Sequence, residues 1–139
     1  MLCLLVEDNP LVGLDLAEAL DASGYYVAGP FPCGRDASEW LAQFTPDVAI
    51  VDVTLRDGMC LEVIRVLQAR TIPFIVYSGG PVRRTPFDIP AEVPWLEKPT
   101  SYEVIAKILQ ERQSRVTRES NQPPARDQQI GNAAPSQVQ

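Results

Sequence analysis

The chain alternates short apolar runs with longer stretches whose apolar residues recur at helical spacing. Leu2–Val6, Tyr25–Ala28, Val48–Val51, Phe74–Tyr77 and Val93–Leu96 read as five strands. Runs this short and this apolar suit strands buried on both faces. Leu11, Leu14, Ala17 and Leu20 predict a first helix, opened by Pro10 and stopped by Gly24. Gly29, Pro30, Pro32 and Gly34 predict a loop. A second helix follows from about Arg35 to Phe44, with Trp40, Leu41 and Phe44 as its apolar face. A third, from about Met59 to Arg70, carries Cys60, Ile64 and Leu67 on one side. The last helix starts near Thr100 or Ser101, with Val104, Ile105, Ile108 and Leu109 as its buried stripe. This alternation predicts an α/β fold, a doubly wound five-stranded parallel sheet. Right-handed crossovers predict the flavodoxin-like order 2-1-3-4-5.

Two stretches break the pattern. Residues 79–94 should hold the fourth helix, yet they contain Pro81, Pro86, Pro90 and Pro94. Proline inside a helix costs about 3 kcal/mol, so the fourth helix is expected to be short or irregular, with one turn at residues 81–92 or none. From about Val116 onward there is no apolar period and much Gln, Pro, Ser and Asn. That composition predicts disorder. The expected division is one folded domain over residues 1–112 and a disordered tail over 113–139, since 139 residues suit a single core.

Charge narrows the partners. The net charge is −6 and uneven: residues 1–111 carry 8 basic and 16 acidic side chains, residues 112–139 carry 4 and 2. An acidic folded part argues against nucleic-acid binding. The chain has no histidine, which removes His-based zinc sites and His-based nucleophile relays. Cys3, Cys33 and Cys60 have no paired spacing and read as reduced thiols in the cytoplasm, Cys3 in the core and Cys33 exposed. No apolar run reaches the roughly 18 residues that span a membrane, and no basic leader precedes the first strand.

The polar residues that end these strands carry the chemistry. Glu7 and Asp8 follow the first, Asp52 the third, and Lys98 the fifth. In open α/β sheets such strand ends share one edge, where ligands bind. Carboxylates converging there make a place for a hard divalent cation such as Mg²⁺. Two of them about 5 Å apart repel by about 3 kcal/mol at an effective dielectric near 20. A lysine beside them suits an anion held by that metal.

Leu-Leu-Val-Glu-Asp-Asn, Val-Asp-Val-Thr-Leu-Arg-Asp-Gly, Tyr-Ser-Gly-Gly and Glu-Lys-Pro occur in that order at successive strand ends. With them the chain resembles the receiver domain of bacterial two-component response regulators, over about residues 1–112. The resemblance implies a stand-alone, CheY-like receiver without an output domain. It implies that Asp52 accepts a phosphoryl group from a histidine kinase or a histidine phosphotransfer protein. Asp8 directly, Glu7 through water, Asp52 and the backbone carbonyl of Thr54 would hold Mg²⁺. Lys98 would pair with the phosphoryl group, and the bond to Pro99 would be cis. Ser78 would hydrogen-bond a phosphoryl oxygen beside the small Gly79. Trp95 stands where the family carries its switch aromatic, usually Tyr or Phe. Asp57 reads as a cap and not a metal ligand, and Gly58 as a helix-entry turn. Arg83 and Arg84 read as an exposed basic pair.

The chemistry implied is self-phosphorylation and autodephosphorylation, not metabolic catalysis. A signal would pass by contact with a downstream protein of unknown identity, from a monomer or weak dimer. Two other readings stay open. A pseudo-receiver adaptor would keep the fold without the chemistry. A Mg²⁺-dependent phosphohydrolase working through an aspartyl phosphate would usually need a second aspartate where Thr54 stands.

Overall fold

The computed structural model describes residues 1–55, 57–58, 60–80 and 89–123. Five strands alternate with helices: β1 (Leu2–Val6), α1 (Pro10–Ala22), β2 (Tyr26–Phe31), α2 (Gly34–Leu41), β3 (Val48–Val51), α3 (Cys60–Ala69), β4 (Phe74–Ser78), β5 (Trp95–Glu97) and α4 (Tyr102–Asn121). All the strands pair in parallel, in the order β2-β1-β3-β4-β5 that the crossover rule demands.

Successive strand residues point to opposite faces, and the core divides accordingly. Leu4, Val6, Ala49, Val51, Phe74 and Val76 face α2 and α3, where Ala37, Leu41, Val63, Ile64 and Leu67 cover them. Cys3, Leu5, Val48, Ile50, Ile75 and Tyr77 face α1 and α4, under Leu16, Leu20, Ile105 and Leu109. Both faces of β1, β3 and β4 are therefore dry, which explains their unbroken apolar runs.

Several details depart from the sequence reading. On α1, Leu11 and Leu14 are exposed, and the buried positions are Gly13, Leu16 and Leu20. Each step of three falls about 60° short of a full turn, so a row spaced by threes drifts off the buried side. On α4, Val104 is exposed, while Ile105, Ala106 and Leu109 are buried. Strand β2 runs on through Gly29 and Pro30, which the sequence reading gave to a loop. It is an edge strand paired only with β1, and its register shifts between Leu4 and Val6. A proline costs no ladder bond at such a bulged edge. Gly29 is required there: at φ +110° a Cβ would sit 2.5 Å from the Leu5 carbonyl oxygen. Helix α2 ends at Leu41, and Phe44 lies beyond it, half exposed. Cys33 is half-buried where exposure was expected.

Helix α4 extends to Asn121, so the tail boundary expected at residue 113 does not hold at that point. Gln, Arg and Glu are good helix formers, and extending an existing helix adds a hydrogen bond for each residue fixed. Residues 124–139 of that tail lie outside the described residues, as do Arg83, Arg84 and most of the segment expected to carry a short fourth helix. Of that segment, Pro90–Val93 forms a turn closed by the Val93 amide on the Pro90 carbonyl (3.1 Å). Ile89 and Val93 from it are buried against the α3 face. Among the described residues no helix is long and apolar enough to cross a membrane.

Candidate functional site

The parallel register brings the ends of β1, β3, β4 and β5 to one edge, with Val6 beside Val51, Val51 beside Val76, and Ser78 beside Glu97. Backbone hydrogen bonds continue into the residues that follow. The Glu7 amide donates to the Phe31 carbonyl (2.9 Å), Asp52 to Val6 (3.1 Å) and Lys98 to Ser78 (2.9 Å). The sheet ladder therefore holds the backbone of each charged residue in place.

Glu7 and Asp52 are almost fully buried, at 3% and 2% exposure. Lys98 Nζ donates to Asp52 Oδ2 at 2.9 Å and to Glu7 Oε1. Buried carboxylates need such compensation, because removing one from water without a partner costs several kcal/mol. Glu7 Oε2 accepts the Asn9 amide (3.0 Å). Burial pushes the Glu7 carboxyl pKa up, and its bonds to Lys98 and Asn9 pull it back only in part. Burial disfavours the Lys98 ammonium, but hydrogen bonds and charge from Glu7 and Asp52 outweigh it, so the lysine's pKa lies above its usual value. Asp52 Oδ1 accepts both the amide (2.8 Å) and the hydroxyl (2.7 Å) of Thr54.

One carboxylate oxygen from each of Glu7, Asp8 and Asp52 lies within 4.8 Å of the others. This donor set, all hard oxygen at one sheet edge, fits Mg²⁺. Ser78 is 1% exposed, and among the described residues its Oγ has no hydrogen-bond partner. Gly79 lies next to it, and a Cβ there would meet nothing within 4 Å among the described residues. Trp95 is partly buried against the α2 and α3 core. The Lys98–Pro99 peptide is cis.

Two contributions escaped the sequence reading. The Tyr77 ring lies 5.5 Å from Lys98 Nζ, and its hydroxyl accepts the Thr100 amide (3.2 Å), tying the loop after Lys98 to β4. A tyrosine at a strand end beside a cationic site was the available signal. The other is the Thr54 hydroxyl, which donates to Asp52 Oδ1, where the resemblance assigns a role only to the Thr54 backbone carbonyl. Asp57 is a cap, as expected: its oxygens accept the Gly34 and Arg35 amides that open α2.

A family model for the response regulator receiver domain matches residues 3–84. The chain belongs to the response regulator receiver family. A curated relative is the transcriptional regulatory protein PdtaR of Mycobacterium tuberculosis, 40% identical over 58 residues. That stretch is 40% of this receiver and only 28% of the relative. Among solved structures, a CheY-like receiver domain protein from Methanospirillum hungatei superposes with a TM-score of 0.75 at 19% identity, covering 85% of this chain and 97% of that one. The receiver domain of a histidine kinase from Syntrophus aciditrophicus gives 0.71 at 26% identity, covering 89% and 98%. The receiver is thus a two-component signalling domain, of a family whose members signal through histidine kinases or phosphotransfer proteins and generally bind Mg²⁺ at an acidic cluster.

Proposed function

We propose that Asp52 accepts a phosphoryl group from the phosphohistidine of a histidine kinase or phosphotransfer protein. An Asp52 oxygen attacks phosphorus, the phosphorus–nitrogen bond breaks with its electron pair returning to the imidazole, and an aspartyl phosphate remains. The observation that carries this reading is the Lys98 ammonium held between buried Glu7 and Asp52, with Asp8 completing the cluster. A lysine so placed is already within reach of any group attached to Asp52.

Glu7, Asp8, Asp52 and the backbone carbonyl of Thr54 would hold Mg²⁺, which when bound offsets the repulsion between these acids and an incoming phosphoryl group. Lys98 pairs with the transferred group as a compact, movable charge. The Ser78 hydroxyl, without a hydrogen-bond partner among the described residues, donates to a phosphoryl oxygen, and the small Gly79 leaves room beside it. Movement of Ser78 toward the phosphate then draws on Trp95, the switch aromatic of this reading. Water later hydrolyses the aspartyl phosphate. The setting is the cytoplasm, in keeping with three free cysteines, and the output is contact with another protein.

The test is uptake of phosphoryl groups from acetyl phosphate with Mg²⁺ present. Wild-type protein should be modified and Asp52→Asn should not. Equal modification of the two would refute the assignment.

A further inference from the structure

Helix α2 lacks a cap of its own. The side chain of its N-cap residue, Cys33, makes no capping hydrogen bond. The opening amides of the helix, Gly34 and Arg35, donate to the two oxygens of Asp57 at 3.1 and 3.0 Å. Gly34 is buried, so without Asp57 its amide has little water to turn to. Asp57 belongs to the short loop between β3 and α3, the loop that begins with Asp52. The near end of that loop is bonded to the acceptor through Thr54. Its middle is buried at Val53 and Leu55, and the Cys60 thiol donates to the Val53 carbonyl (3.0 Å). Its far end is fastened to α2 by Asp57 and closed by the Gly58 amide on Leu55 (3.1 Å).

We propose that Asp57 is a positioning residue for the phosphoryl and metal site. By capping α2 it fixes the loop whose first residues present the Asp52 carboxylate and the Thr54 carbonyl. The coupling runs both ways, because an effect of the cap on binding at the site requires an equal effect of binding on the cap. The amino end of α2 therefore responds when the site fills. The proposal rests on the roles given above to Asp52 and Thr54.

Magnesium affinity, measured by calorimetry on the full chain, tests it. Asp57→Ala should weaken binding about tenfold, as loss of a supporting contact typically does. Asp57→Asn should lose less than Asp57→Ala, because its single amide oxygen can still accept one of the two α2 amides that Asp57 holds with its two oxygens. Arg70→Ala is the comparison. It removes the bonds from Arg70 Nη1 to the Leu41 and Phe44 carbonyls, loosening the end of the α2 segment away from the cap, and should leave the affinity unchanged. In the wild type, the Gly34 and Arg35 amide resonances should shift on Mg²⁺ addition. Unchanged affinity in Asp57→Ala overturns the coupling alone, as would still resonances. An Asn variant as weak as Ala would show that charge, not capping, acts. An equal loss in Arg70→Ala would reduce the effect to the stability of α2. Failure of wild-type protein to bind Mg²⁺ overturns the proposed function and the coupling with it.

Discussion

Lys98 decides the resting state of the site. Its ammonium satisfies two carboxylates that are each almost fully buried. Breaking a buried charge pair by removing one partner costs about 3–5 kcal/mol, and the lysine side chain is 19% exposed, which lowers that figure. We expect Lys98→Met to lose about 2–3 kcal/mol of stability without metal, and saturating Mg²⁺ to restore part of it. Urea unfolding with chelator and with magnesium checks both. Cysteine reactivity follows the same physics of burial. Burial pushes the Cys3 thiol up to about 12 and raises that of Cys60. A raised value keeps the group a thiol at about pH 8, whereas the reacting species is the thiolate. A maleimide should therefore label Cys33 in the native protein, and Cys3 and Cys60 only on unfolding; mass spectrometry of digests reads the order. The charged positions were legible in the sequence because they follow short apolar runs that read as strands. The role of Tyr77 and the helix that Asp57 caps were not, because each contact spans a distance that no local pattern encodes.

At the scale of elements, α1 carries the clearest prediction. Pro10 opens it two residues after Asp8, and Leu11 and Leu14 stand 75% and 62% exposed on its first turns. Under the proposed function a phosphodonor protein docks beside the β1–α1 end that carries Asp8, and exposed apolar side chains there favour a protein partner. The double variant Leu11→Ala, Leu14→Ala should slow transfer from a cognate phosphodonor protein about tenfold while leaving uptake from acetyl phosphate unchanged. Parallel assays with the two donors separate these effects. The same leucines show where sequence reading misled. They shared a spacing of three with Leu20, and only the position of the helix against the sheet reveals that Leu16, not Leu14, turns inward. Likewise Gly29 and Pro30 have the chemistry of a loop, and only the edge position of β2 lets them remain in a strand. The length of α4 was hidden because its outer turns carry no apolar stripe, so nothing in the pattern marked them as helix.

For the whole molecule, the order of the sheet followed from the sequence, since five short apolar runs and right-handed crossovers leave few alternatives. That order brings Glu7, Asp8, Asp52 and Lys98 together from three strands. Under the proposed function, metal binding at this cluster should appear as stability of the entire fold. A ligand at a hundredfold its dissociation constant stabilises the folded state by about 2.7 kcal/mol. Thermal unfolding of the wild type should shift upward with Mg²⁺, and Asp8→Asn should lose most of that shift; equal shifts in both proteins would remove Asp8 from the site. The lysine held between two acids has a consequence for the cell as well. Lys98 supplies a counter-charge to Glu7 and Asp52 within the fold itself, so part of their repulsion is offset before any metal arrives. Swings in the free magnesium pool should then change how readily it can be charged with phosphate, while leaving the number of intact copies as it was.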